Sequence, residues 1–188
     1  HYWGVGVDGS ENDFVIGYDA SSQASMGADQ LLTIQHDGDV NVKSGDLIFG
    51  TSGKGVVLGA TSNTAANTLD DYEEGTWTPT DASSAGLSFA QASGRYVRVG
   101  NKVTAWGFVE YPTTSDGQNA EVHGLPYDIF GTDPVQGGSV TYTNYGAMFM
   151  IFCRRNTDDV EFIGANGSAL TNANLSAKQI NFCAIYFT

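Results

Sequence analysis

The sequence has 188 residues, a formal net charge of -13, 15% charged residues and 24 glycines. This charge argues against a nucleic-acid-binding protein, because an acidic chain repels phosphate groups and its few basic residues form no stripe. No apolar run approaches the length that crosses a bilayer, which argues against membrane insertion. Abundant glycine and sparse charge are typical of short strands joined by tight turns.

The charge is unevenly distributed along the chain. Residues 1–80 hold 12 acids and 2 bases (net -10), whereas residues 81–188 hold 9 acids and 6 bases (net -3). This asymmetry indicates two segments with different surfaces. The sequence starts at His1 without an initiating Met or a leader, so we expect a soluble piece of a longer protein.

The first segment contains brief apolar runs separated by glycine and acidic residues. Gly38 and Gly45 lie between such runs, where the positive φ of a tight turn is needed. Strands this short bury too little surface in one chain, so we expect them to close around an axis shared with neighbouring chains. The predicted strands are 14–17, 31–34, 40–42, 47–49 and 56–58.

Residues 65–75 have a different character, with acidic residues that follow a capping residue and a glycine at the end. This pattern predicts one or two helical turns. A serine- and alanine-rich stretch follows Pro79. We therefore predict three parts: residues 1–64 as a segment of short β-strands, residues 65–80 as a linker with a short helix, and residues 81–188 as a β-sandwich domain.

The last part begins with a clear hairpin. Residues 95–99 and 102–109 are separated by Gly100 and Asn101, an order that favours a type II′ turn. Both faces of the second strand are largely apolar, which suits a sandwich core or a subunit interface. A final strand is predicted over residues 179–188.

Motifs for catalysis, cofactors or metals are weak. Gly4, Gly6 and Gly9 match a dinucleotide fingerprint only by letter, because no helix pattern follows, and Asp13 replaces the glycine that a calcium loop needs. The three histidines lack ligand spacing, and His123 is interpreted as structural. We predict no catalytic residue, no metal and no cofactor. Cys153 and Cys183 are expected to be buried free thiols, with a disulfide as the alternative.

Aromatic residues beside turns are the remaining candidates for a binding site. Their rings can stack on sugar faces or fill a receptor pocket, although ordinary packing is the competing interpretation. The candidates are Tyr111, Tyr127, Tyr142 and Tyr145.

The segment Leu69-Asp70-Asp71-Tyr72-Glu73-Glu74-Gly75-Thr76-Trp77-Thr78-Pro79 resembles one found in tail-fibre and receptor-binding proteins of tailed bacteriophages, just ahead of the distal domain. Residues 94–107 and 122–126 are similar to the same family in order and character, with Tyr127 where the family has Phe. The resemblance covers residues 65–127, and the upstream residues 32–42 are similar to the short-strand shafts of such fibres.

This resemblance implies a parallel homotrimer whose intertwined shaft of short strands ends in a jelly-roll-like head. It further implies attachment to a host cell-surface glycan or outer-membrane protein, a virion location facing the host after assembly in the infected bacterial cytoplasm, and the rest of the phage tail on the N-terminal side. Leu69, Tyr72 and Trp77 would be structural residues of the trimer and linker. The resemblance supplies no catalytic residue.

Two other functions stay open from the sequence. One is a tail spike that depolymerises polysaccharide, which needs two carboxylates flanking a glycosidic bond. The densest acids, Asp70, Asp71, Glu73 and Glu74, lie in the predicted linker. The other is a non-viral carbohydrate-binding module.

Overall fold

A computed structural model describes residues 2–20, 25, 27–51, 53–59, 61–62, 68–69, 71–131 and 136–188. These residues form fifteen β-strands and no helix, which confirms the predicted all-β class. In the same ranges, no helix has the length and apolar character to span a bilayer. The chain divides into two compact units, the N-terminal unit (His1–Ser52) and the C-terminal unit (Gly53–Thr188).

The N-terminal unit is one antiparallel sheet with strand order β1-β2-β3-β4. Its strands are β1 (Tyr2–Asp8), β2 (Asp13–Asp19), β3 (Gln30–Ile34) and β4 (Val40–Val42). Gly38, between β3 and β4, has a φ of 102°, as the predicted turn requires.

Two strand predictions for the first segment differ from the structure. Strand β1 was not predicted, because its alternating glycines weaken the apolar pattern. The predicted strand at residues 47–49 has no regular structure, and Leu47 and Ile48 are 67% and 81% exposed. An apolar run without a hydrogen-bonding partner does not form a strand, and no described residue pairs with this run.

The C-terminal unit contains two larger antiparallel sheets. The five-stranded sheet has the order β12-β15-β10-β9-β7 and comprises β7 (Tyr72–Trp77), β9 (Gln91–Val99), β10 (Lys102–Glu110), β12 (Gly137–Thr143) and β15 (Gln179–Phe187). The four-stranded sheet has the order β13-β14-β11-β8 and comprises β8 (Thr80–Asp81), β11 (Glu121–His123), β13 (Phe149–Cys153) and β14 (Val160–Gly164). Strands β5 (Val56–Val57) and β6 (Thr68–Leu69) form a separate pair.

The two larger sheets pack against each other through one apolar core. Val103, Ala105 and Val109 alternate along β10 and are fully buried. On the opposing sheet, the Phe162 ring meets the Phe182 ring with centroids 5.8 Å apart. Side chains of the two inner faces therefore interdigitate, as in a sandwich. The jelly-roll connectivity and the intertwined trimer stay predictions.

The predicted hairpin is confirmed in register and turn. Lys102 pairs with Val99, so Gly100 and Asn101 form a two-residue loop. Gly100 has a φ of 59°, which the first position of such a turn requires. The predicted last strand corresponds to β15, which lies between β12 and β10.

The predicted helical turn at residues 65–75 is not present in the described residues. Residues 68–69 form β6 and residues 72–77 form β7, while residues 63–67 and 70 lie outside the described residues. The local capping signal is overridden because β7 pairs with β9 along its whole length, from Tyr72 with Val99 to Trp77 with Gly94. Pairing with a large sheet outweighs the weak intrinsic preference of a few acidic residues for a helix.

Glycines let two large rings pack under the five-stranded sheet. A Cβ at Gly94 would collide with the Trp77 indole, and a Cβ at Gly107 would collide with the Phe182 ring. The Trp77 Nε1–H donates to the carbonyl oxygen of Trp106 at 3.1 Å. Trp77, predicted as a structural residue, is therefore held by packing and by one hydrogen bond.

Candidate binding surfaces

Two of the four candidate tyrosines are held by packing in the C-terminal unit. Tyr111 is 1% exposed, and its ring lies 4.9 Å from the Phe89 ring, so it is a core residue. Burial raises the pKa of its hydroxyl. Tyr127 is half-buried; its hydroxyl donates to Glu73 at 2.5 Å and the Arg98 guanidinium lies over its ring.

The other two candidate tyrosines lie together where β12 leads into β13. Tyr142 is 51% exposed, and the Tyr145 ring contacts the Phe149 ring with centroids 5.7 Å apart. Both tyrosines and the exposed Met148 line a cleft of about 470 Å³. The structure thus groups half of the candidate set in one place.

A larger groove, of about 720 Å³, lies on the five-stranded sheet and was not predicted. Its most exposed aromatic residue is Trp106, which is 46% exposed because it alternates with the buried Ala105 and Gly107. The sequence signal was present, since Trp106 and Phe108 share one face of the predicted strand. The polar and aromatic residues that line the groove are Thr76, Trp77, Thr78, Ser93, Arg95, Trp106, Phe108, Thr141, Asn181 and Phe182.

Tyr142 lines the smaller cleft and not this groove, but the two adjoin because Thr141 lines both. Phe108 pairs with Asn181 across β10 and β15, and Asn181 pairs with Tyr142 across β15 and β12, so the three side chains share one face. A bulge between Val140 and Tyr142 shifts the alternation of β12. The bulge therefore brings a predicted tyrosine next to the groove.

The predicted linker residues surround a cluster centred on Glu73. The hydroxyls of Tyr127 and Tyr96 both donate to its carboxylate, and these two bonds lower the pKa of Glu73. The bond to Glu73 also raises the pKa of Tyr96 to about 12. Strand β7 is thus fastened to the sheet edge, whereas Leu69 and Tyr72 are 45% and 64% exposed.

A second polar cluster joins β11 to the segment that leads into the neighbouring strand β14. The His123 Nδ1 lies 2.7 Å from a carboxylate oxygen of Asp158 and 2.8 Å from one of Asp159. The hydrogen bond to Asp159, together with the neighbouring carboxylates, raises the pKa of His123. Sequence spacing could not reveal this cluster, since the acids lie about 35 residues from the histidine. The same three side chains have ligand atoms within 4.8 Å of one another and could share a metal ion, so the interpretation of His123 as structural stays a prediction.

The two cysteines are free thiols. The predicted free state is therefore confirmed and the alternative of a disulfide is wrong. The predicted burial is confirmed for Cys153 but is wrong for Cys183, which is half-buried. Burial raises the pKa of Cys153 to about 12. A thiol with such a pKa is scarcely ionised at neutral pH and is a poor nucleophile.

The N-terminal unit presents an open apolar sheet face. Val5 pairs with Ile16 and Val7 pairs with Phe14, so these four side chains project from the same side. Ile34 and Leu32 on β3 each pair with a residue of β2 and a residue of β4, so the same face extends across β3 and β4. The face consists of Trp3, Val5, Val7, Phe14, Ile16, Tyr18, Leu32, Ile34, Val40 and Val42.

The opposite face of this sheet is different. Val15 and Thr33 are fully buried there, and the paired Asp8 and Asp13 are 7% and 2% exposed. Asp8 accepts hydrogen bonds from the Ser10 hydroxyl at 2.6 Å and from the Gln30 amide at 3.2 Å, and the bonds from Ser10 lower its pKa. The acidic groups therefore lie away from the apolar face.

Comparisons with protein-family models, with curated proteins and with solved structures find no match for this chain. The case for a function therefore depends on the surfaces described above and on the resemblance of residues 65–127.

Proposed function

We propose that this chain is the attachment module of a bacteriophage tail fibre, which assembles as a homotrimer and binds the surface of the host bacterium. The observation that carries the proposal is the open apolar face of the N-terminal unit. The resemblance at residues 69–79 selects a tail fibre among self-associating proteins.

The size of the apolar face favours self-association. Trp3, Val5, Val7 and Val40 are each more than 60% exposed. Together the ten side chains expose on the order of 800 Å², which is about what one partner buries in a standard interface and exceeds the largest apolar patch of a typical monomer. Removal of this apolar surface from water is the main driving force for the association that we propose.

The position of charges supports another copy of the chain as the partner. Residues 1–80 carry a net charge of -10, so two such segments repel each other when their acidic surfaces come together. None of the ten side chains on the apolar face is charged, whereas Asp8 and Asp13 belong to the opposite face. Copies that meet through the apolar face keep these carboxylates out of the contact.

In this proposal the short strands of three chains intertwine as a shaft, and the two-sheet C-terminal unit is a jelly-roll-like head. Three heads held on one shaft convert weak single contacts into firm attachment through effective concentration. The partner on the host is a cell-surface glycan or an outer-membrane protein. The module has no catalytic role, is located in the virion, and joins the rest of the phage tail through its N-terminal side.

Light scattering of the purified chain tests the assembly. We expect a molar mass of three times 19.9 kDa for the wild type at micromolar concentration. The double variant Val5→Asp/Val7→Asp places two charges on the apolar face and should reduce the mass to 19.9 kDa. Tyr2→Asp is the matched control, since Tyr2 is 52% exposed but belongs to the opposite face.

Attachment is tested with the labelled chain on a panel of bacterial strains. The proposal predicts that a trimer retains bound label on susceptible strains, whereas the double variant washes off. A wild-type monomer would contradict the assembly and favour a single carbohydrate-binding module. Release of reducing sugar from the strains would favour a depolymerase.

A further inference from the structure

We propose that the groove around Trp106 on the five-stranded sheet binds an acidic oligosaccharide. This inference rests on the proposed function, because it assigns a ligand class and a site to the attachment module. The groove volume of about 720 Å³ is within the range of small-ligand sites, which hold a few sugar rings.

The groove offers aromatic surface for the faces of sugar rings. Trp106 is 46% exposed in the middle of the sheet, and Phe108 follows two residues later on the same face. Tyr142 lines the adjoining smaller cleft, where it is 51% exposed and pairs with Asn181. Aromatic residues supply large, rigid contact area with two side-chain torsions to fix. Their spacing along neighbouring strands suits an elongated ligand.

Polar groups with free hydrogen-bonding capacity lie beside these rings. Arg95 pairs with Trp106 across β9 and β10, so the guanidinium emerges beside the indole. Within the described ranges, neither the Arg95 guanidinium nor the Asn181 side-chain amide has a hydrogen-bond or ion-pair partner. A donor fork and an amide beside aromatic rings match the hydroxyl and carboxylate groups of a sugar acid.

Charge selects an acidic ligand over a neutral one. The chain has 21 acidic residues, yet none of them lines this groove, and Arg95 is its one charged residue. A guanidinium without a carboxylate partner in such an acidic chain is a local attractor for an anion.

Binding to purified bacterial capsular polysaccharides tests the site, with one set that contains uronic acids and one neutral set. We expect the wild type to bind at least one acidic polysaccharide. Trp106→Ala should weaken that binding about tenfold or more, as for a central aromatic contact. Arg95→Gln should remove the preference for the acidic set and the sensitivity of binding to salt. Phe152→Ala is the matched control, since Phe152 is an aromatic residue of the four-stranded sheet that is 47% exposed, much like Trp106, but does not line the groove.

Two results would overturn the inference. One is a wild-type chain that binds no member of the acidic set, or whose binding is unchanged by both groove variants. The other is a change of molar mass in Trp106→Ala, which would identify the groove as a subunit contact. Attachment of the same proteins to bacterial strains separates this failure from that of the proposed function: if Trp106→Ala attaches like the wild type, the attachment role stands and the groove assignment fails.

Discussion

The two units of this chain use apolar residues in opposite ways. In the C-terminal unit, two sheets face each other and bury rings such as Phe162 and Phe182 between them. In the N-terminal unit, a single sheet leaves ten apolar side chains on one face, and among the described residues Val15 is the fully buried apolar side chain on the other. A sheet with a second sheet over it completes its core within one chain, whereas the single sheet leaves its apolar face exposed.

This difference predicts where substitutions act. Changes in the closed core should lower the free energy of unfolding without regard to protein concentration. Changes on the open face should act through association, so their effect should depend on concentration. The light-scattering experiment on Val5→Asp/Val7→Asp tests the open face of the N-terminal unit. The following variants test the C-terminal unit.

Phe182→Ala should have the largest effect on stability. The ring is 1% exposed and contacts Phe162 across the core, so its removal leaves a cavity and should cost about 3–5 kcal/mol. Chemical denaturation at two protein concentrations measures the loss. Ile185→Ala, on the same strand but 40% exposed, is the control and should cost much less. A loss of stability that grows on dilution would contradict the difference between the two units, because the C-terminal sandwich would then depend on association too.

Gly107→Ala should have an intermediate effect. The added methyl group meets the buried Phe182 ring within contact distance, and overpacking of this kind costs about 1–3 kcal/mol. Gly117→Ala is a matched control, since nothing lies within 4 Å of a Cβ at that position and its φ is not positive. Thermal unfolding of both variants checks the prediction, and equal melting temperatures would contradict the packing described for the sheet.

Glu73→Gln should have the smallest effect, and its difference from the wild type should be present above pH 4.5 and disappear at acidic pH. The pKa of Glu73 is lower in the folded state than its ordinary value of 4.5. Its stabilisation is therefore present above pH 4.5 and is lost as the pH falls through the folded pKa. Wild type should lose more stability than Glu73→Gln as the pH falls below 4.5, measured by thermal unfolding. The neighbouring Glu74→Gln is the control and should behave like the wild type.

The sequence predicted the hairpin around Gly100 because a two-residue turn and two apolar strands are local features. It predicted strands β2, β3 and β4 for the same reason. It failed at residues 65–75, where pairing with β9 decides the conformation, since such pairing depends on residues about 25 positions away. Capping rules describe only the nearest turn.

The candidate site was predicted in part, again for physical reasons. Tyr142 was a candidate because it lies beside turn residues, and the structure places it next to the groove. Tyr111 has the same local context but is buried by Phe89 and Phe162, which come from other parts of the chain. The groove itself depends on the register of β9, β10, β12 and β15, which periodicity cannot give.

The place of β15 in the middle of its sheet has a consequence during synthesis. One edge of strand β10 pairs with β15, so it has no hydrogen-bonding partner until the ribosome has added 69 more residues, from Glu110 to Gln179. The β9–β10 hairpin forms in about 1–10 μs, whereas translation of that stretch takes seconds at about 5–20 residues per second. During those seconds a nascent chain presents an unpaired apolar strand, the kind of edge that joins neighbouring chains into aggregates. We therefore expect the yield of soluble protein to fall steeply with expression temperature and to recover when chaperones that hold nascent chains are supplied.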